Sequence, residues 1–229
     1  MVLLFKRYIA LLLIFIAIVF LWNTRLVYPL KIFVVFMHEV SHGLAAIATG
    51  GRIIELQVNP DQGGHALTQG GSRFWTLTAG YLGSLLWGGI ILLLAARTRL
   101  DKTISILIGL GMVAISLGFG ESLFTYLFGI GFGIALIAIG FYLPETFNDW
   151  TLRVIGITSC LYAILDIKSD VLDRSSLRSD ARMLSEITGI PTEVWGGIWI
   201  FIAIGLTLWF LYLSGKPASR EQVATEEDP

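Results

Sequence analysis

The chain has little charge and almost no cysteine, and both shortages limit what it can be. Charged side chains make up 14% of its 229 residues and hydrophobic ones 55%, whereas a typical soluble domain has about 25% charged residues. Lipid is therefore the expected solvent for most of the chain. Cys160 is the single cysteine, so it forms no internal disulfide and cannot build a thiolate zinc site alone. Any metal would need nitrogen and oxygen ligands, and the net charge of −1 offers no basic surface for nucleic acid.

Seven apolar runs are long enough to be considered as membrane spans, which need about 20 mostly apolar residues. They cover residues 8–22, 32–48, 74–96, 103–120, 122–143, 151–167 and 195–213. Only Glu121 separates the fourth run from the fifth, so the number of spans is six if these two form one bent element. The first run follows Lys6 and Arg7 and lacks a small-residue cleavage site, so we expect an uncleaved span there.

These runs predict an all-α polytopic membrane protein with six or seven transmembrane helices. We expect a single transmembrane domain over residues 1–213, followed by a polar, disordered tail at 214–229. The oligomeric state is not encoded in these features, and the favoured host membrane is the bacterial cytoplasmic membrane.

Two connections between the runs have recognisable patterns. Residues 50–72 are rich in glycine and indicate a strand, a turn and a second strand. Residues 168–193 contain Ser179 as the N-cap of a short helix, with Gly189 as its stop and Pro191 beyond it. We expect the apolar face of this short helix to lie on a membrane surface; its residues are Ala181, Leu184, Ile187 and Thr188.

One motif in the second run points to chemistry. Residues 38–42 read His-Glu-Val-Ser-His, which matches H-E-x-x-H, and they include two of the three histidines of the chain. On a helix, positions four apart share one face, so the imidazoles of His38 and His42 can bind one zinc ion. Glu39 is then placed to act as the general base on water that the metal activates. Ionisable residues within an apolar span are costly and usually functional.

A catalytic zinc site uses three protein ligands, so a third ligand must come from elsewhere in the chain. Asp166 is the first candidate because it lies deepest in apolar surroundings, at the end of the sixth run. Asp170, four residues later, is the second candidate, and Glu121 is the third. His65, on the predicted hairpin, is a weaker fourth. The spacing alone leaves all four open.

The chain resembles the site-2 protease family of intramembrane zinc metallopeptidases, in its compact branch without a PDZ insert. The resemblance covers residues 32–195 and rests on the motif with the following Gly43, the turn at Gly50 and Gly51, the glycine-rich strands, and three later segments. These segments are Ala79-Gly80-Tyr81-Leu82-Gly83, residues 179–191, and Trp195.

The resemblance implies one zinc ion held by His38, His42 and a downstream aspartate, with Glu39 activating water and membrane proteins or peptides as substrates. In the wider family this aspartate stands between Leu and Gly. Here Leu165 precedes Asp166, but Ile167 replaces the glycine. The first predicted strand could pair with an unwound substrate, which assigns substrate positioning to Ile54, Leu56 and Val58.

Three other functions compete with the endopeptidase. A gluzincin-like peptidase would use Glu121 as a ligand, but Thr125 stands where its helix pattern requires Asp. A catalytically inactive scaffold or chaperone that retains the metal site is the main alternative outside the enzymes. A metal transporter is the least favoured, because it would need polar faces on several spans.

Overall fold

The computed structural model describes residues 2–173 and 179–216. Its helices and strands follow in the order α1 (Val2–Leu21), α2 (Tyr28–Ala48), β1 (Arg52–Val58), β2 (Gly64–Gln69), α3 (Arg73–Arg97), α4 (Asp101–Phe119), α5 (Leu123–Tyr142), α6 (Glu145–Lys168), α7 (Asp180–Thr188) and α8 (Thr192–Gly215). A π-helical turn, Ser169–Asp173, continues α6.

Six of the described helices are long and apolar enough to cross a membrane: α2, α3, α4, α5, α6 and α8. This confirms the predicted all-α polytopic architecture. The apolar stretch Arg7–Leu21 of α1 is shorter than the other six. The fourth and fifth runs form two separate helices, which meet at Gly120 and Glu121. The predicted tail lies outside the described residues from position 217 onward.

Two hydrophobic clusters divide the helix bundle. One joins α1, α3, α6, α7 and α8 around Tyr81 and Trp199, and the other joins α2, β1, α3, α4, α5 and α6 around Phe33 and Leu56. Because α2 belongs to one cluster and α7 to the other, the space between these helices lies where the two halves of the bundle meet. The site described below occupies this space.

The predicted hairpin is present, and it runs back alongside α2. The strands β1 and β2 pair antiparallel, with a register shift between Ile53 and Glu55. At the hairpin tip, the hydroxyl of Tyr28, the first residue of α2, donates a hydrogen bond to the Pro60 carbonyl at 2.7 Å. A β-hairpin therefore lies beside a membrane-spanning helix for much of its length.

Backbone groups at this depth need partners within the protein or in water. The turn between α4 and α5, together with the first turn of α5, provides such partners for the outer edge of β1. The Glu121 N–H donates to the Leu56 carbonyl at 3.1 Å, and the Val58 N–H donates to Oγ1 of Thr125 at 2.9 Å. The strand β1 is thus enclosed on both edges, by β2 on one side and by this turn on the other.

The short helix α7 has the predicted boundaries but a different environment. Oγ of Ser179 accepts a hydrogen bond from the Arg182 N–H, and Gly189 ends the helix with a left-handed φ of 73°. Its predicted apolar face is divided: Ile187 is exposed as expected, whereas the other part packs inside the protein. Ala181 and Leu184 are fully buried in the protein, because α7 folds inward against α3 and α8.

Candidate metal centre

Three side chains from two distant parts of the chain converge between α2 and α7. Oδ2 of Asp180 lies 3.0 Å from Nε2 of His38 and 3.1 Å from Nε2 of His42. Each residue offers one ligand atom, and the three atoms lie within 4.8 Å of one another. In the described part of the chain, this is the only group of three or more His, Cys, Asp or Glu residues close enough to hold a metal ion.

The helical spacing of the motif produces the first half of this arrangement. His38 and His42 are one turn apart on α2, and their ring centroids are 4.8 Å apart. Nδ1 of His42 lies 2.6 Å from the Thr76 carbonyl oxygen. Because a carbonyl only accepts, Nδ1 carries a proton, so Nε2 is the nitrogen that would bind a metal once its own proton is lost. This backbone contact is the usual way in which proteins orient a ligating histidine.

The second half comes from α7, whose first residue is Asp180. Burial by itself would raise the pKa of Asp180, but the charge of His42 and the polar contacts with both imidazoles outweigh burial and hold this pKa below its ordinary value. The carboxyl group is therefore ionised, as a metal ligand must be.

Gly80 on α3 makes room for the two imidazoles. A Cβ atom at this position would overlap Nε2 of His38 and would lie 2.6 Å from Nε2 of His42. Any other residue would thus intrude on both ligand atoms. The next residue, Tyr81, packs its ring edge-on against His38 at 4.9 Å between centroids, and its hydroxyl donates to Oδ2 of Asp170 at 2.5 Å.

The carboxylate of Glu39 lies beside the start of β2. A Cβ atom on Gly64 would lie 2.7 Å from Oε1 of Glu39, so only glycine lets the strand approach this closely. Glu39 is buried, with 5% of its surface exposed, and it lines the same cavity as both histidines. The hairpin and the motif helix thus place a carboxylate, two imidazoles and an open strand edge in one space.

This cavity has a volume of about 1130 Å³ and reaches from the end of α2 near Gly71 to Lys31 near its beginning. Along one side runs β2, and along the other run the end of α6, its π-helical turn and α7. In the described part of the chain, β1 provides all strand pairing to β2, and no backbone hydrogen bond reaches the opposite edge of β2. The cavity is therefore a groove with one strand edge available for pairing.

The four residues predicted as possible third ligands lie elsewhere. Asp166 and Asp170 line the same cavity but are not in the three-residue group. Glu121 is exposed at the turn between α4 and α5. His65 lies on β2, half exposed, with Nε2 3.6 Å from Oε1 of Glu55. The structure thus brings Asp180 to the histidines in place of Asp166, because α7 folds back over the site and fills the position opposite them.

Asp180 is not among the predicted ligands, although the sequence contains a signal for it. It stands four residues before Leu184, so it shares the apolar face of a short amphipathic helix. An acidic residue on an apolar face indicates burial and a partner. Nothing in the spacing, however, shows that α7 folds toward α2 across 142 residues of chain.

The placement of β1 does not support the predicted role of its residues in positioning substrate. Leu56 and Val58 are fully buried in the core, and only Ile54, at the register shift, is exposed. The turn between α4 and α5 occupies the outer edge at Leu56 and Val58. An incoming peptide would instead meet β2.

The donor set fits zinc. Two imidazole nitrogens and one carboxylate oxygen are typical of catalytic zinc sites, which keep a fourth position open. The buried carboxylate of Glu39 next to the first ligand completes the arrangement that the motif requires. The groove lies directly beside these residues.

Comparison with curated proteins and with solved structures gave no match. The family model described as Peptidase M50B-like matches residues 11–210, which include α2, the hairpin, α7 and most of α8. The match therefore covers both motif histidines as well as the aspartate that reaches them, and the chain belongs to the Peptidase M50B-like family.

Proposed function

We propose that this protein is an intramembrane zinc endopeptidase that hydrolyses peptide bonds in membrane-protein substrates, in the bacterial cytoplasmic membrane. The observation that carries the proposal is the convergence of His38, His42 and Asp180 beside Glu39 in a groove within the helix bundle. Membership in a peptidase family supports the same reaction class.

One zinc ion is the proposed cofactor, held by the two Nε2 atoms and Oδ2 of Asp180. When bound, zinc supplies Lewis-acid chemistry, which polarises a scissile carbonyl and makes water more acidic. The carbonyl of Thr76 fixes the tautomer of His42, and Gly80 leaves both rings in place.

The proposed role of Glu39 is proton transfer. Its carboxylate accepts a proton from the attacking water while the new C–O bond forms, and then delivers that proton to the leaving nitrogen as the C–N bond breaks. The position of Glu39, next to the first ligand and on the wall of the groove, suits this role because it places the carboxylate beside both the metal site and the space that a water molecule would occupy.

The proposed substrate position is the open edge of β2. A peptide that is helical hides its carbonyls in internal hydrogen bonds, so cleavage requires an extended segment. Pairing with β2 would hold such a segment along the groove past Glu39, a form of β-augmentation. Residues 65–68 of β2 line the cavity and would contact it.

A catalytically inactive scaffold that retains the metal site remains the alternative. Glu39→Gln distinguishes the two, because the amide keeps the size of the side chain but does not accept a proton. Purified protein is loaded with zinc and incubated in heavy-oxygen water with a library of transmembrane peptides, and mass spectrometry detects new carboxyl groups that carry heavy oxygen.

We expect wild-type protein to produce labelled fragments, and Glu39→Gln to lose them while its zinc content stays unchanged. Glu186→Gln, on the exposed side of α7, is the matched control and should cleave like wild type. Equal labelling by wild type and Glu39→Gln would contradict the proposed catalytic role.

A further inference from the structure

The cavity extends well past the metal centre, and a cationic side chain stands at its far end. Of the lysine and arginine side chains that the structure describes, two line this cavity, Lys31 and Arg73. Arg73 opens α3 beside the hairpin base, whereas Lys31 lies near the start of α2. The two charges are therefore at opposite ends of the groove.

Lys31 is a buried lysine in a membrane-spanning helix, with 8% of its surface exposed. Its Nζ lies 4.4 Å from the ring centroid of Trp22, a cation–π contact. Among the side chains that the structure describes, no carboxylate forms an ion pair with Lys31. A buried lysine is rarely left without a carboxylate, and an ionisable residue inside a span usually has a function.

The surroundings of Lys31 form a small pocket at the end of the groove. Trp22 and Tyr162 face each other at 6.0 Å between ring centroids, and Val35 lies one turn further along α2. Asp61 and Asp166 also line the cavity, and no ion pair joins either of them to Lys31 among the described side chains. This end thus offers a cation and two aromatic rings to whatever enters the groove.

The distance from the metal centre sets what could reach this pocket. Lys31 and His38 are seven residues apart on α2, which is two turns or about 10 Å along the helix axis. An extended peptide advances about 3.3 Å per residue. A chain lying in the groove with its scissile bond at the histidines therefore reaches the ammonium group after three or four residues.

We propose that Lys31 forms an anionic subsite, which binds a carboxylate of the substrate three or four residues from the scissile bond. The carboxylate is an Asp or Glu side chain or the terminal carboxyl group of the chain. This inference rests on the proposed function and deepens it, because it assigns a substrate class to the same groove. The cation–π contact with Trp22 holds the ammonium group in place until that carboxylate arrives.

The test uses zinc-loaded full-length protein and peptide hydroxamates, whose hydroxamate group binds the metal. One series carries the hydroxamate at one end of the peptide, and the second series carries it at the opposite end. In both series, one to five residues separate the hydroxamate from a terminal carboxylate or from the corresponding uncharged amide. Binding is measured for wild type, Lys31→Met, Lys31→Arg and Lys102→Met, a control lysine near the start of α4 that does not line the cavity.

In one series, we expect wild type to bind the carboxylate about tenfold more tightly than the amide, with a maximum at three or four residues. Lys31→Met should reduce this ratio to about one, while Lys31→Arg and Lys102→Met retain it. The proposal is overturned if Lys31→Met keeps the preference, or if the preference does not depend on length in either series.

Binding of the uncharged amides separates this proposal from the metal centre. If all variants bind the amide peptides equally, and wild type binds the carboxylate peptides no more tightly than the amides, the anionic subsite at Lys31 is rejected and the proposed zinc site is retained. If wild type that contains zinc binds neither series, the groove is not a peptide site, and both proposals fail.

Discussion

Gly80 stands so close to His42 that a Cβ atom on the glycine would lie 2.6 Å from Nε2 of the imidazole. We expect Gly80→Ala to displace a ligand ring and to weaken zinc binding by about ten- to a hundredfold, the range for disturbances around metal ligands. Competition titration with a chelating dye measures this. Gly111→Ala is the control, because nothing lies within 4 Å of its Cβ position. Wild-type affinity in Gly80→Ala would contradict the close packing.

The third ligand can be identified by comparing two aspartates of the same cavity. Removing a ligand should weaken zinc binding by about a hundredfold or more, which is a larger effect than that of changing a residue that only orients a ligand. We therefore expect Asp180→Ala to be purified without zinc and Asp166→Ala to retain it. Metal content by plasma mass spectrometry decides between them. The reverse result would restore Asp166 as the ligand and would mean that α7 does not close over the site.

Metal removal should lower the stability of the bundle, because the ligands belong to helices that are far apart in the chain. A ligand at a hundred times its dissociation constant stabilises the folded state by about 2.7 kcal/mol. A chelator should lower the midpoint of thermal unfolding, and added zinc should restore it. His65→Ala should respond like wild type, since this histidine lies outside the cluster. An equal zinc response in His38→Ala would count against the site.

Strand pairing with β2 predicts an alternating pattern in peptide binding, because every second residue of a strand faces the same neighbouring strand. N-methyl groups on alternate amides of a hydroxamate peptide should weaken binding about tenfold in one register. The same groups shifted by one residue should have little effect. Inhibition constants for the two sets measure this. Equal loss in both registers would indicate that the peptide does not pair with a strand.

Local features of the chain could be predicted from its sequence to a large extent. Apolar run lengths located the spans, glycine and strand patterns located the hairpin, and the cap at Ser179 with the stop at Gly189 bounded α7. The motif placed His38 and His42 on one face of α2, one turn apart. Each of these depends on residues within about 20 positions, where helix and strand periodicity constrain the geometry.

Long-range packing could not be predicted in the same way. The direction in which α7 folds depends on contacts with α3 and α8, so local burial alone favours Asp166 as the third ligand and does not single out Asp180. The sequence predicts that β1 pairs with a substrate, but the turn at Glu121, more than 60 residues away in the chain, covers its outer edge. Both differences arise because one sequence without structure does not show which distant segments meet.

The hairpin beside α2 determines which molecules can fill the groove. Among the described residues, nothing in the protein pairs with the outer edge of β2, and acyl chains carry no donors or acceptors to do so. Leaving such groups bare costs several kcal/mol each. Acyl chains are thus disfavoured beside this strand edge by the peptide groups themselves, whereas water and extended polypeptide can satisfy them. Under the proposed function, the same edge that would align a substrate would also exclude lipid, and so would retain the water that hydrolysis consumes.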